Sequence, residues 1–337
     1  MPLPPFAAEP MRPADLAACR AALVVGSKSF AAAARILPRR VRAPATALYA
    51  FCRVADDAVD TEADPKASVK RLRARLDAIY ANAPFDHPAD RAFAAVVAEY
   101  EMPKELPAAL IDGFEWDAEG RRYDTLDALH AYCARVAGTV GAMMALLMGV
   151  RDPDRLARAC DLGVAMQLTN IARDVGEDAR NGRIYLPLDW LREAGVTPQD
   201  WEAAPNYSPA VRGVVHRMLE NADALYARSE AGIAALPADC RASIRAAGRI
   251  YAEIGRLVRS TGFDPVLTRA IVPKRRKMTL LASAMLPRWT RGSGVALPPL
   301  DATAYLVRAV PGQGGRSLDE RIEWMIGVLA RVEGRTA

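Results

Sequence analysis

Residues 166–187 read MQLTNIARDVGEDARNGRIYLP and carry polar side chains at helical intervals. Gln167, Asn170, Asp174 and Asp178 follow one another at steps of three, four and four residues. On an α-helix these side chains fall within an arc of roughly 80°, and Leu, Ile, Ala and Val occupy the flank beside them. The stretch therefore predicts a helix whose carboxylate and amide stripe faces something other than bulk water.

A second stretch, ALYAFCRVADDAVDTEADP at residues 47–65, repeats this pattern in more apolar surroundings. On a helix, Tyr49, Arg53, Asp56 and Asp60 project within roughly 60° of one another, and Asp57 lies to one side. Ala, Leu, Phe, Cys and Val fill nearly all of the remaining circumference. Such an apolar helix is expected to be buried, so its polar stripe is predicted to line an internal cavity.

The two stripes together predict a site for a hard divalent cation. Carboxylates stacked in a low-dielectric cavity repel one another and do not all stay ionised without cations. Both helices offer only oxygen donors, which suit Mg²⁺ or Mn²⁺ and bind zinc poorly. The candidate ligands are Asp56 and Asp60 on the first helix, with Asn170, Asp174 and Asp178 on the second. Magnesium shares its remaining positions with substrate phosphates, so a diphosphate is expected between the helices.

Three arginines lie where that diphosphate is predicted. Arg53 belongs to the first stripe, and Arg173 and Arg183 flank the second. Their planar guanidinium groups match phosphate oxygens in a bidentate manner.

The remainder of the chain predicts a single all-α domain. Ala-, Leu- and Arg-rich stretches recur between Pro and Gly clusters, and the alternating Val, Ile and Thr runs of strands are missing. A chain of 337 residues with 51% apolar content can bury a large core. The five cysteines are far apart without a CxxC pair, which disfavours a disulfide framework or a zinc site. The formal charge of +5 is scattered along the chain, so no nucleic-acid partner is expected.

The ordered motifs of the chain resemble the squalene and phytoene synthase family, whose members join two prenyl chains head to head. The resemblance rests on DDAVD and NIARDVGED, accompanied by GSKSF, YCARVAGTVGAMM, GRIYLPLDWLREAG and YAEIGRLVRSTGFDPVLTRAIVPKRRK. It runs from about residue 17 to residue 281 and is greatest for the bacterial phytoene-forming members. It implies the isoprenoid synthase fold, a helix bundle around a central active-site cavity.

The resemblance also implies residue roles. The family's metal-binding positions correspond to Asp56, Asp60, Asn170, Asp174 and Asp178. Its substrate-binding positions correspond to Ser27, Ser29, Tyr49, Arg53, Gln167, Tyr185 and Arg269, which Arg173 and Arg183 join from the charge argument above. Tyr251 corresponds to a residue at the reacting centre, and either it or released diphosphate is the candidate proton acceptor. Phe263 stands where the family usually has tyrosine in a YDP element, a change that removes only a hydroxyl.

The activity implied is that of a prenyltransferase of carotenoid biosynthesis. It would condense two geranylgeranyl diphosphates to phytoene through prephytoene diphosphate, with Mg²⁺ or Mn²⁺ and without NADPH. Two alternatives stay open. One is a sibling that makes presqualene diphosphate or squalene from farnesyl diphosphate, since pocket depth rather than motifs sets chain length. The other is a non-catalytic family member that acts in assembly or binding.

Membrane association is the last question that the sequence raises. Residues 136–150 are uncharged but fall short of the roughly 20 residues that a bilayer crossing needs, so a buried helix is expected. The segment VPKRRKMTLLASAMLPRWTRG at residues 272–292 predicts either a docked helix or a contact with a membrane surface. The expected location is cytoplasmic, with that contact at the inner face of the membrane as an option. We expect a tail at residues 1–13, a catalytic domain at 14–290, and a loop and helix at 291–337.

Overall fold

The structure, a computed structural model, describes residues 10–26, 34–61, 64–260, 262–285 and 295–312. No strand occurs among these residues, so the predicted all-α class is confirmed. The helices are α1 Pro13–Gly26, α2 Arg39–Thr61, α3 Pro65–Tyr80, α4 Pro88–Glu99, α5 Glu105–Ala118, α6 Leu126–Cys133, α7 Thr139–Leu147, α8 Pro153–Arg180, α9 Leu188–Glu193, α10 Pro198–Ala203, α11 Pro209–Ala235, α12 Ala238–Val258, α13 Lys274–Met285 and α14 Ala304–Ala309. A π-helical turn spans Ala134–Gly138 and a 3₁₀ turn spans Asp301–Thr303.

Several helices begin at a capping residue followed by proline. The side chains of Asp64, Asp152 and Ser208 each accept a hydrogen bond from the backbone N–H three residues later, and proline comes directly after each cap. The cap satisfies an N–H group that the helix leaves unpaired, while proline suits the first helical position because it lacks one. The predicted helix breaks at Pro clusters therefore have a local cause.

Helix α8 is the central element of the bundle. Its 28 residues span about 42 Å, and it packs against α7, α11, α12 and the π-helical turn. Its N-terminal half joins an apolar cluster built with α1 to α5 and α7, and its C-terminal half joins a second cluster with α6 and α9 to α13. Gly141 permits the contact with α7, because a Cβ there would lie 2.2 Å from the Ala159 carbonyl oxygen.

Most of residues 136–150 are buried as expected, although Gly149 is exposed and four others are partly exposed, and the stretch does not form one uniform helix. The π-helical turn occupies Ala134–Gly138 and α7 begins only at Thr139. A π-helical turn holds an additional residue, which rotates the side chains before it relative to those after it. Tyr132 precedes this turn, so the direction in which it projects depends on the turn.

The described part of the C-terminal region packs onto the bundle. Leu306 is fully buried, and Val307 and Val310 are nearly so. Helix α14 contacts α5, α7 and α8. The helix predicted near the end of the chain lies outside the described residues, and the proposed domain boundaries stay predictions. None of the described helices combines the length and apolar character that a bilayer crossing requires.

Candidate active site

The first predicted stripe lies on α2, where its cation and carboxylates are paired. Arg53 Nη1 contacts Asp56 Oδ2 at 3.1 Å, and Arg53 Nη2 contacts Asp57 Oδ1 at 2.5 Å. All three side chains are about half exposed, so this stripe is more open to solvent than the internal cavity predicted from the sequence. The C-terminal end of α1 reaches the same place, since a Cβ on Gly26 would lie 2.3 Å from Tyr49 Oη. Ser27, Ser29 and the side chain of Asp60 lie outside the described residues, and their roles stay predictions.

The second stripe lies on α8 and is more deeply buried. Arg173 binds Asp174 through two contacts, Nε to Oδ1 at 2.8 Å and Nη2 to Oδ2 at 2.5 Å. The Asp174 side chain is only 14% exposed. One turn earlier, Asn170 Nδ2 donates to Gln167 Oε1 at 3.4 Å. Asn170 Oδ1 is buried and accepts no hydrogen bond. A buried carbonyl oxygen without a partner is costly, and a cation is one ligand that would satisfy it.

Arg269 reaches the second stripe from the loop between α12 and α13. Its Nε lies 2.8 Å from Asp174 Oδ1, and its Nη1 lies 3.4 Å from Glu177 Oε2. The loop comes this close because Gly176 has no side chain, and the Gly176 N–H donates to the Pro265 carbonyl at 3.3 Å. The sequence predicted Arg269 as a phosphate ligand. In the structure it contacts Asp174, a predicted metal ligand.

Asp178 is a partly buried carboxylate of the second stripe, and its pKa is raised. Burial, reinforced by the neighbouring charge of Asp174, raises the pKa of Asp178 to about 8, while Arg183 opposes the shift. Arg183 and Tyr185 line the same small cavity as Asp178. A carboxylate in this setting favours a bound cation.

The structure adds Asp117 and Tyr132 to the residues that the sequence analysis singled out. The hydroxyls of Tyr185 and Tyr132 donate to the two carboxylate oxygens of Asp117 at 2.7 Å and 2.8 Å. The two tyrosine rings are stacked with their centroids 5.1 Å apart. Asp117 is near enough to Asp178 to contribute to its raised pKa. Tyr132 lies within the YCARVAGTVGAMM motif, but Asp117 had no local signal because its partners come from distant parts of the chain.

Tyr251 on α12 lies near charged or polar residues of both stripes. Burial raises the pKa of Tyr251, and the neighbouring Arg173 opposes that shift. Burial also raises the pKa of Tyr49 on α2, and Tyr251 contributes to this effect. Tyr251 therefore lies within electrostatic reach of Tyr49 on α2 and of Arg173 and Asp174 on α8.

The oxygen donors on α8 suit a hard cation, although they do not form a cluster of three acidic residues. Among the described residues, no three or more His, Cys, Asp or Glu side chains lie close enough to hold a metal ion. The set on α8 consists instead of two carboxylates, Asp174 and Asp178, and the amide oxygen of Asn170. Oxygen donors of this kind suit Mg²⁺ or Mn²⁺.

An all-α bundle with two carboxylate stripes and converging arginines defines a class of helical enzymes that act on diphosphate esters. A sequence model of the squalene/phytoene synthase family matches residues 23–280, and the chain belongs to that family. The predicted family is confirmed.

Relatives and solved structures agree with this placement. A phytoene synthase of Cereibacter sphaeroides is 51% identical over 96% of this chain and 94% of its own length. One from Rhodobacter capsulatus is 52% identical over 96% of this chain and 97% of its own. The fold is similar to that of a dehydrosqualene synthase crystallised with ligand, with a TM-score of 0.74 at 32% identity. That similarity covers 80% of this chain and 95% of the other.

Proposed function

We propose that this chain is a phytoene synthase that condenses two geranylgeranyl diphosphates to phytoene through prephytoene diphosphate and releases diphosphate. The observation that carries the proposal is the position of Tyr251, within electrostatic reach of Tyr49 on α2 and of Arg173 and Asp174 on α8, in a chain that is similar over nearly its full length to phytoene synthases. Two stripes with their own arginines provide for the diphosphate groups of two substrates.

The residues proposed to hold Mg²⁺ or Mn²⁺ are Asp174, Asp178 and Asn170 on α8, with Asp56 and Asp60 on α2. The unpartnered Asn170 Oδ1 and the raised pKa of the partly buried Asp178 support the α8 set. When bound, the metal would stabilise the negative charge that develops on the leaving diphosphate.

The arginines of the site have a second role that follows from their present partners. Arg53 pairs with Asp56, while Arg173 and Arg269 both pair with Asp174. If cations bound these carboxylates, the guanidinium groups of Arg53, Arg173 and Arg269 would be available for phosphate oxygens. Internal ion pairs would then be replaced by contacts with cation and substrate, which would limit the desolvation cost of binding.

The chemistry that follows is ionisation of the allylic C–O bond to a carbocation, which the other prenyl chain attacks through its double bond. Proton loss then needs an acceptor. Because burial raises the pKa of Tyr251, its phenol stays protonated at neutral pH and is better suited to donate a hydrogen bond. We therefore favour released diphosphate as the acceptor, with Tyr251 orienting it.

The test is a product assay on purified protein with Mg²⁺ and either geranylgeranyl or farnesyl diphosphate, without NADPH. Mass analysis should find a C40 hydrocarbon from the C20 substrate alone. A C30 product from farnesyl diphosphate that stalls at its diphosphate until NADPH is added would place the chain in the squalene branch. Lack of turnover with either substrate, with metal and detergent varied, would favour the binding-protein alternative.

We also propose that the chain contacts a membrane surface through the α12–α13 loop and α13. Leu267, Ile271 and Met278 are 77%, 72% and 64% exposed, an unusual exposure for large apolar side chains. Exposed Lys274 and Arg275 lie between them in the chain. Apolar groups with adjacent cations suit an anionic lipid interface. The loop also carries the proposed phosphate ligand at position 269, so this contact would bring the site close to its lipid-like substrates.

Sedimentation with vesicles tests this surface. Wild type should bind vesicles that contain phosphatidylglycerol, and the double variant Leu267→Ser with Ile271→Ser should bind them several-fold less. Phe85→Ser, which alters an apolar side chain exposed elsewhere, is the matched control. Equal binding by all three proteins would contradict the proposed surface.

A further inference from the structure

The described C-terminal segment, residues 295–312, is fastened to the bundle by a buried ionic cluster. Arg158 and Asp161 on α8 are fully buried and lie 3.1 Å apart, and Arg228 on α11 contacts the same Asp161 oxygen at 3.0 Å. Both arginines also donate to the Pro298 carbonyl, at 3.1 Å and 2.7 Å. A carbonyl held by two cations, one of them fully buried, fixes the start of the segment firmly.

The same segment contributes an aromatic ring to the surroundings of Arg135. The Arg135 guanidinium lies 4.1 Å from the ring centroid of Trp116 and 5.5 Å from that of Tyr305 in the C-terminal segment. Arg135 Nη1 donates to the Ala131 carbonyl at 2.9 Å, but its Nε is buried and has no hydrogen-bond partner. Ring faces therefore supply much of the environment of this cation.

The same segment packs against the π-helical turn. A Cβ on Gly138 would lie 3.6 Å from Leu306 Cδ1 and 3.6 Å from Thr303 Cγ2. Arg135 is itself part of this turn, which follows Tyr132 closely in the chain. A π-helical turn is rare, and the contacts of Gly138 and Arg135 with the C-terminal segment bear on where Tyr132 points.

We propose that Tyr305 is a positioning residue for the reaction, acting through Arg135 and Trp116 on the neighbouring Asp117. Asp117 follows Trp116 directly on α5 and accepts from the hydroxyls of Tyr132 and Tyr185 beside Asp178. The ring of Tyr305 carries this role rather than its hydroxyl, because the buried Oη has no hydrogen-bond partner. The segment lies beyond residue 280, where the match to the family model ends.

The inference rests on the proposed function and is tested in the full-length chain. Tyr305→Leu removes the aromatic face, and we expect kcat to fall fivefold or more while KM for geranylgeranyl diphosphate stays within twofold. Tyr305→Phe retains the face and should keep kcat within twofold of wild type. Tyr207→Leu is the matched control, because Tyr207 also has a buried, unpartnered hydroxyl and a guanidinium 5.7 Å from its ring centroid. Unchanged kcat in Tyr305→Leu, or an equal loss in the control, would overturn the proposal.

A double-mutant cycle with Asp117→Asn separates positioning from general stabilisation. The melting-temperature shifts of Tyr305→Leu and Asp117→Asn should be non-additive, since both act on one network. Additive shifts would overturn the proposal. The melting-temperature measurement needs no turnover. It therefore still tests the coupling of Tyr305 to Asp117 if the wild-type chain makes no phytoene. Absence of phytoene would instead contradict the proposed function. If Tyr305→Leu does not fold, Trp116→Leu removes the other aromatic face of Arg135 and enters the same cycle.

Discussion

Replacing Gly176 with alanine should separate the Arg269 loop from α8. An alanine Cβ at this position would lie 2.1 Å from the Val266 carbonyl oxygen and 2.4 Å from its Cα. Ordinary contacts begin near 3.4 Å, so the loop has to move by about 1.3 Å. Both neighbours are backbone atoms, and Val266 is itself buried, so a side-chain rotation cannot relieve the clash.

Two opposing terms set the size of the effect. Overpacking of this kind costs about 1–3 kcal/mol. Alanine in a helix interior recovers about 0.5–1 kcal/mol relative to glycine. We therefore expect a net loss of about 1.3 kcal/mol in the free energy of unfolding, within a range of about 0–2.5 kcal/mol. The displacement also moves Arg269 from Asp174, and misplacement by about 1 Å near the reacting groups can lower kcat/KM by about 10- to 100-fold.

Gly213→Ala provides the matched control. Gly213 is also helical, but a Cβ there meets no atom within 4 Å. That variant should be as stable as wild type or more so, and fully active. Urea unfolding and the phytoene assay on both variants distinguish the two cases. If Gly176→Ala matches wild type in stability and activity, the close approach of the loop does not position Arg269 and the reasoning fails.

Two further predictions concern packing between helices. Glu253, buried on α12, contacts Arg276 of α13 at 2.9 Å, and hydrogen bonds from Arg256 and Arg276 lower the pKa of Glu253 from 4.5 to about 2. Its ionised form therefore contributes stability above pH 4.5 that is lost as the pH falls towards 2. Glu253→Gln should cost about 1–2 kcal/mol in urea unfolding at pH 7, and a cost that does not shrink at pH 3 would contradict this account. Gly141→Ala would place Cβ 2.2 Å from the Ala159 carbonyl oxygen. This clash should lower the melting temperature by several degrees. An unchanged melting temperature would show that α7 and α8 can separate freely.

The residues predicted from periodicity are those that share a helix face. The intervals that join Asn170 and Asp174 on one helix, and Tyr49 and Arg53 on another, depend only on helical geometry. The ordered motifs then indicated the family correctly. The relatives at 51% and 52% identity favour the phytoene branch over the alternatives that the motifs left open.

Other features depend on tertiary contacts that have no local pattern. Asp117 belongs to the site because two tyrosines from separate parts of the chain meet its carboxylate. The π-helical turn before α7 packs against α5 and α8, contacts that no local sequence pattern reveals. The arginines were expected to serve phosphate. Helix geometry alone pairs Arg53 with Asp56, whereas the pairing of Arg269 with Asp174 joins charges that only the fold brings together.

The central claim is that the α2 and α8 stripes bind cation and diphosphate as one site. The direct measurement is Mn²⁺ binding, followed by electron paramagnetic resonance, with and without an unreactive geranylgeranyl diphosphate analogue. Asp56→Asn and Asp174→Asn should each weaken analogue-dependent Mn²⁺ binding by about tenfold or more, whereas Asp77→Asn, at an exposed position on α3, should leave it unchanged. Binding as in wild type by both stripe variants would contradict the claim that the two helices form one metal–diphosphate site.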